Sequence, residues 1–171
     1  MTRFTPDSNS PLVLHGRLKL NRQFQPCMAE PGDELYLNGI FEFNITRLLA
    51  FIDTQPQQWA PQPVELAQIP QHGDDSHLDP DAIAAADLSR PILLAEISPG
   101  LYNVIDGNHR LSKARREAAR TILAHRISCP QHVPFLTSMT AYEAYVEYWN
   151  SKVDALQSCP TRTIRRKSTL Q

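Results

Sequence analysis

The order of apolar and polar residues along the chain predicts several short strands mixed with short helices. Leucines at alternate positions in residues 12–20 indicate a strand, because side chains two positions apart share one strand face. Two apolar runs flank the pair Asn38-Gly39. Since such a pair supplies the positive φ angles of a type I′ turn, residues 34–43 predict a hairpin.

Helix-starting signals follow the hairpin. Asn44 or Thr46 can cap a first helix, which the Gln- and Pro-rich stretch 55–63 ends. Residues 64–69 then allow a short strand. Asp79 followed by Pro80 predicts a second helix, because proline is tolerated at the first helical position and aspartate caps well.

The most regular pattern lies between residues 92 and 127. It predicts, in order, a buried strand at 92–97, a strand at 101–106, a helix at 109–120 and a closing strand at 122–127. In that helix, Leu111, Ala114 and Ala118 are spaced to face a core. A last helix is expected from Thr140, with Glu143 completing a capping box. Its apolar stripe comprises Tyr142, Tyr145, Val146, Trp149, Val153 and Leu156.

These elements predict an α/β (α+β) fold in a single compact domain. A chain of 171 residues matches one domain of about 100–200 residues. We expect a flexible start at 1–11, the domain at 12–158 and a basic tail at 159–171. No apolar run approaches 18 residues, so no membrane partner is expected. Three scattered cysteines without a C-x-x-C pair favour a cytoplasmic protein.

Glycine content and charge order bear on function. The chain has only 6 glycines and neither the dinucleotide fingerprint nor a P-loop. The formal net charge is −1, but eight acidic residues and one arginine in 65–106 are followed by six basic residues and one acid in 107–126. This change of sign can mark an anion site beside a metal, or two solvated faces that neutralise each other. A metal cluster in the acidic and His-containing loop 72–81 is less favoured than a polar loop.

The sequence Asp106-Gly107-Asn108-His109-Arg110 stands between a predicted strand and a predicted helix. Free N–H groups and the positive end of the helix dipole attract phosphate at such a junction. His109 and Arg110 can add charge-assisted hydrogen bonds, and Asp106 can hold a Mg²⁺ that bridges phosphates. The alternative is structural: Gly107 makes the turn, Asn108 caps the helix and Arg110 pairs with an acid.

Segments 86–94, 102–114 and 122–127 together resemble the core of the ParB/sulfiredoxin superfamily: a strand pair, a Gly-x-[His/Arg]-Arg box at a helix start, and a closing strand. The resemblance implies a ParB/sulfiredoxin-like domain with its core at 86–127, extra N-terminal strands and a C-terminal helix. It also implies that the box binds the phosphates of ATP, ADP or CTP. The box is similar to the Asp-Gly-His-His-Arg of the free-serine kinase branch.

Three departures from that family limit what is carried over. Asn108 stands where sulfiredoxin has its catalytic cysteine, so peroxiredoxin repair is not expected. The arginine-rich box and helix-turn-helix region of chromosome-partition proteins have no counterpart here. The glycine usual after the box helix is absent, and Ala118-Ala119 takes its place.

Three functions follow as hypotheses. The first is a nucleotide-dependent enzyme, an NTPase or small-molecule kinase. Its catalytic residues would be Asp106 and His109, its metal ligand would be Asp106, and its phosphate-binding residues would be Gly107, Asn108, His109, Arg110 and Lys113. The second is a DNA-associated partition-like protein or nuclease, with Arg116, Arg120, Arg165 and Arg166 as candidate backbone contacts. The third is a nucleotide-sensing interaction module without turnover.

Overall fold

The structure is a computed structural model that describes residues 16–70 and 78–158. The strands are β1 (Leu35–Asn38), β2 (Phe41–Asn44), β3 (Gln62–Glu65), β4 (Ile92–Ser98), β5 (Leu101–Asp106) and β6 (Thr121–Ile127). The helices are α1 (Ile45–Thr54), α2 (Pro80–Ala85), α3 (Asn108–Arg116) and α4 (Met139–Ser158). Single 3₁₀ turns lie at Leu66–Gln68 and Val133–Phe135. The mixed α/β class and the single compact domain are as predicted.

A four-stranded sheet in the order β3-β6-β4-β5 organises the domain. β4 pairs antiparallel with β5 and parallel with β6, while β3 pairs antiparallel with β6. α3 follows the edge strand β5 and leads to β6, which lies on the far side of β4. The strand pair, the helix that begins at the box and the closing strand therefore occur in the predicted order.

Apolar residues alternate along β4 between two clusters. Leu93, Ala95 and Ile97 belong to the larger one, which also contains α1, α4 and the hairpin β1–β2. Ile92 and Leu94 belong to the smaller one, formed with α3 and residues of β3, β5 and β6. Because successive strand side chains point to opposite faces, the two clusters lie on opposite faces of the sheet.

The caps predicted for the first two helices are confirmed. The side-chain carbonyl of Asn44 accepts the N–H of Arg47 at 3.0 Å and begins α1. Asp79 accepts the N–H of Asp81 at 3.0 Å, and Pro80 stands at the start of α2. Local capping chemistry was sufficient to place both helix starts.

The hairpin is confirmed, but its predicted turn type is wrong. Asn38 pairs with Phe41, so the two central residues are Gly39 and Ile40. Gly39 has φ +67°, whereas Ala118 is the one non-glycine residue with positive φ in the described ranges. A type I′ turn would force Ile40, a β-branched residue, into that disfavoured region. Glycine at the first central position alone is the pattern of a type II′ turn.

The strand predicted at 12–20 is wrong for residues 16–20, and residues 12–15 lie outside the described ranges. This segment runs beside α4 without strand pairing. Its Leu18 N–H donates to the Asn150 side chain at 2.7 Å, and the Asn150 amide donates to the Leu18 carbonyl at 3.0 Å. One side chain thus satisfies the backbone groups that a sheet ladder would have used.

Several helix and strand bounds also differ from prediction. α3 ends at Arg116 instead of residue 120, so Ala118 is exposed outside the core. α4 begins one residue earlier than predicted because Ser138 is its cap, its hydroxyl accepting the Ala141 N–H at 3.1 Å. The predicted stripe of α4 is buried up to Val153, but Leu156 is 61% exposed. The strand predicted at 64–69 is shortened to β3 and continues as a 3₁₀ turn.

Within the described ranges, no helix combines the length and apolarity needed to cross a membrane.

Candidate functional site

The box occupies the junction between β5 and α3. Asp106 is the last residue of β5, Gly107 is the helix cap with φ +97°, and Asn108 is the first helical residue. Gly107 has no side chain with which to cap this helix, and among the described residues the first helical hydrogen bond runs from the Leu111 N–H to the Gly107 carbonyl at 2.9 Å. The alternative in which Asn108 is the cap is therefore wrong. The N–H groups of the first turn are left without an intrahelical partner.

Gly107 is required by the fold itself. A Cβ at this position would lie 2.6 Å from Ile92 Cγ2 and 2.8 Å from an Arg110 terminal nitrogen. Its left-handed φ adds strain for any other residue. A valine here would therefore disturb the contact between β4 and α3. Loss of ligand binding in Gly107→Val would not by itself identify a ligand site, because the fold around the junction would be disturbed as well.

Arg110 is paired with the acid at the end of β5. Its terminal nitrogen donates to Asp106 Oδ2 at 2.9 Å, and the two side chains are only 14% and 18% exposed. The structural alternative proposed for Arg110 is confirmed in this respect. Arg110 Nε is buried and finds no hydrogen-bond partner among the described residues. The guanidinium is held beside the helix start, and one Asp106 oxygen is occupied by it.

His109 and Lys113 differ in what they contact. His109 is half-buried in the first turn, and its ring makes no hydrogen bond within the described ranges. Lys113 Nζ donates to the carbonyls of Ala84 and Ala86 at 2.9 and 2.8 Å. Two of its three donors therefore satisfy the end of α2, which gives Lys113 a structural role that its sequence position did not indicate.

The basic residues of the nucleic-acid hypothesis do not form one surface of free cations. Arg116 is exposed at the end of α3. Arg120 donates to Glu65 at 2.9 Å, and Arg115 donates to the Ile69 carbonyl at 3.1 Å. Arg165 and Arg166 lie outside the described ranges.

The residues that the structure describes contain no group of three or more His, Cys, Asp or Glu side chains arranged to hold a metal ion. Most of the loop 72–81, where a cluster was considered, lies outside the described ranges. Of its acids, Asp79 is the cap of α2 and Asp81 follows in the first turn. Both therefore have a local explanation that does not involve a metal.

Sequence reasoning missed a buried polar network around Glu96, on β4. Its carboxylate accepts the N–H groups of Gly100 at 2.8 Å and Cys129 at 3.1 Å. Its backbone carbonyl accepts Nε2–H of His132 at 2.7 Å and the Tyr145 hydroxyl at 3.0 Å. The signal available in the sequence was a single glutamate within the otherwise apolar stretch 92–97.

Burial favours the neutral forms of the histidine, cysteine and tyrosine side chains around Glu96. Complete burial lowers the pKa of His132 to about 4, against the opposing effect of its hydrogen bond to Glu96. Burial raises the pKa of the Cys129 thiol to about 11, and burial also raises the pKa of Tyr145. A protonated thiol is a poor nucleophile, so the network serves to join the β4–β5 turn to the segment after β6.

Comparisons with known proteins found no match to a protein-family model, a curated protein or a solved structure. The junction between β5 and α3 is thus interpreted from its own geometry and from the sequence of its box. It brings together Asp106, Gly107, Asn108, His109 and Arg110. Lys113 is instead bonded to a carbonyl at the end of α2, and Arg116 lies at the far end of α3. What such an arrangement can do is hold an anion against uncapped N–H groups and a positioned guanidinium.

Proposed function

We propose that the protein binds a nucleotide and that the first turn of α3 holds one of its phosphate groups. The observation that carries this proposal is the glycine cap. Because Gly107 offers no side-chain acceptor, the first-turn N–H groups have no cap hydrogen bond. Unpaired N–H groups and the helix dipole together favour a bound anion.

Arg110 and His109 support a phosphate as that anion. Arginine has five donors, and the described bond to Asp106 uses a terminal nitrogen, so other N–H groups remain for phosphate oxygens. His109 lies in the same first turn without a described hydrogen bond, so its ring can also donate. Charge-assisted bonds to phosphate are shorter and stronger than neutral ones.

The choice of a nucleotide over a smaller phosphate rests on the resemblance of the box to the ParB/sulfiredoxin superfamily. ATP, ADP and CTP are the ligands to test, with Mg²⁺ accompanying the phosphates. Turnover would make the protein an NTPase or a small-molecule kinase, in which positioning and charge neutralisation do most of the work. Binding without phosphate release would make it a nucleotide-sensing module.

Calorimetry with ATP, ADP and CTP, each with and without Mg²⁺, tests the proposal when combined with Asn108→Asp. A carboxylate at the first helical position interacts favourably with the helix dipole by about 0.3–1 kcal/mol. We therefore expect the unfolding free energy of this variant to equal or exceed that of the wild type. The same charge would face a bound phosphate at short range. We expect at least about tenfold weaker nucleotide binding, since like charges a few ångströms apart repel by more than about 1.4 kcal/mol near a protein surface.

Gln57→Glu is the matched control, because it adds the same charge at an exposed position in the turn after α1. It should bind nucleotide as the wild type does. Absence of binding by the wild-type protein to all three nucleotides, or equal binding by Asn108→Asp, would contradict the proposal.

The DNA-associated alternative has less support from the described contacts. Lys113, Arg115 and Arg120 all donate to carbonyl or carboxylate groups of the protein itself, which leaves exposed Arg116 as the candidate on α3 without such a described bond. Backbone contacts to DNA release counterions, so DNA binding that weakens steeply with salt would favour this alternative.

A further inference from the structure

Asp106, at the end of β5, and Arg110, in the first turn of α3, form an ion pair at the proposed phosphate site. We infer that Asp106 is a positioning residue, which fixes the Arg110 guanidinium for phosphate, and that it is not the ligand of a Mg²⁺ ion. The inference rests on the proposed function and reassigns the role that the sequence suggested for this carboxylate.

The contacts of Asp106 do not fit a metal ligand. Its Oδ2 accepts a hydrogen bond from Arg110 at 2.9 Å, so a divalent cation on the same carboxylate would lie close to a permanent positive charge. Magnesium takes near-octahedral oxygen coordination, usually from one or two carboxylates together with waters and substrate phosphates, and a carboxylate already bonded to a guanidinium is a weakened ligand for it. Among the described residues, Asp106 is not part of a group of three or more His, Cys, Asp or Glu side chains, so a Mg²⁺ held by it would depend on water and phosphate for the rest of its ligands.

The contacts of Arg110 fit a positioned anion ligand. Its terminal nitrogen lies 2.8 Å from where a Gly107 Cβ would stand, so the guanidinium occupies space that only glycine leaves open. Asp106 holds it there by a direct bond, and the side chain is only 14% exposed. A guanidinium fixed before the ligand arrives loses less conformational freedom on binding, which favours affinity.

ATP affinity of Asp106→Ala and Asp106→Asn, measured by calorimetry in Mg²⁺ and in EDTA, separates the two roles. If Asp106 acts through Arg110, Asp106→Ala should lose about tenfold in affinity by a similar factor in both solutions. Asparagine keeps an oxygen that can accept from the guanidinium, so Asp106→Asn should recover part of that loss. Asp53→Asn removes the same charge at an exposed position of α1 and should bind as the wild type does.

A second comparison uses Arg110→Gln as background. A residue that acts only by holding Arg110 has nothing to hold in this variant, so adding Asp106→Asn should cause no further loss of ATP affinity. Circular dichroism and urea unfolding of each variant identify any that fail to fold. Asp106→Asn keeps the shape of the side chain and provides the test if Asp106→Ala does not fold.

Several results would overturn the inference. A loss confined to Mg²⁺ solutions and equal for alanine and asparagine would assign Asp106 to the metal. Unchanged or tighter ATP binding by Asp106→Ala, or equal loss in the Arg110→Gln background, would exclude positioning. No binding of ATP, ADP or CTP by the wild-type protein would overturn the proposed function, which is a different result from a Mg²⁺-specific loss.

Discussion

The two faces of the four-stranded sheet are packed in different ways. Among the described residues, the face covered by α1, α4 and the hairpin holds 19 buried apolar residues, six of them aromatic, whereas the face covered by α3 holds nine, none of them aromatic. The candidate site lies on the second face. The comparison indicates that the large cluster supplies most of the packing that stabilises the sheet, whereas the small cluster supports the helix at whose start the box lies.

Polar groups show the same difference. On the large face, His132 and Tyr145 donate to the Glu96 carbonyl from fully buried positions. On the small face, Lys113 and Arg115 donate to backbone carbonyls from partly exposed positions. Bonds that remain near water contribute less when formed and cost less when broken. The small face can therefore accept ligands and substitutions at lower cost to the fold.

The largest expected effect comes from neighbouring leucines on β4 that point to opposite faces. Leu93 is 0% exposed in the large cluster and Leu94 is 2% exposed in the small one. Both lose the same atoms on substitution by alanine. The cavity that Leu93→Ala would leave is surrounded by the bulkier residues of the large cluster, so we expect it to close less than the cavity left by Leu94→Ala. We expect about 4 kcal/mol loss of unfolding free energy for Leu93→Ala and about 3 kcal/mol for Leu94→Ala.

Urea unfolding measures both values, provided that the two variants retain the dependence on denaturant of the wild type. Equal costs would mean that the two clusters are packed equally well. A larger cost for Leu94→Ala would reverse the proposed division between the faces.

The next effect concerns pH and lies wholly on the large face. His132 is fully buried with its pKa lowered to about 4, against 6.5 for an ordinary histidine. Below pH 6.5 this histidine binds a proton in the unfolded chain, whereas in the folded protein it does not bind one until the pH falls to about 4. Stability is therefore complete above pH 6.5 and falls as the pH falls toward 4, by about 3 kcal/mol at an exchange of 1.36 kcal/mol per pKa unit.

Unfolding free energies of the wild type and His132→Gln between pH 4 and 7 test this expectation. Glutamine remains neutral and keeps a donor for the Glu96 carbonyl, so the pH dependence of this variant should be flatter by the stated amount. Parallel profiles for wild type and His132→Gln would contradict the assignment.

The part of the fold that was predictable from sequence is the part that local interactions determine. Asn44 and Asp79 begin helices through bonds to the N–H groups two or three residues ahead. The order of elements in residues 92–127 was predicted because each strand and the helix shows a regular apolar pattern bounded by turn residues. The candidate site was identified in the same segment, where Asp106 at the end of β5 and Arg110 in the first turn of α3 stand four residues apart and form an ion pair.

The part that was not predictable depends on residues far apart in the chain. Residues 16–20 are held by Asn150 on α4, and no local pattern reveals that partner. Lys113 was assigned to phosphate because its position on the helix is basic, whereas the carbonyls it satisfies belong to α2. Electrostatic reasoning from the sequence identified charges correctly but not which of them the fold uses internally.

The smallest expected effect lies at the end of α3, where the resemblance to the superfamily lacks its usual glycine. Ala118 has φ +52°, and the helix closes with hydrogen bonds from the Ala118 N–H to Arg115 at 3.1 Å and from the Ala119 N–H to Ala114 at 2.9 Å. This bonding is that of a Schellman motif, whose left-handed residue is usually glycine. The strain of alanine there costs about 1 kcal/mol, part of which is offset because glycine gains more freedom in the unfolded chain.

We therefore expect Ala118→Gly to raise the unfolding free energy by about 0.5 kcal/mol, measured as a shift of the urea midpoint at unchanged slope. Ala119→Gly, one residue on and without positive φ, is the control and should lower it, because glycine there adds freedom to the unfolded chain and removes a methyl group packed against the smaller cluster. Nucleotide binding should be the same in both variants, since the change lies at the opposite end of α3 from the box. Destabilisation by Ala118→Gly would mean that the helix end is set by packing of the alanine methyl and not by its backbone angle.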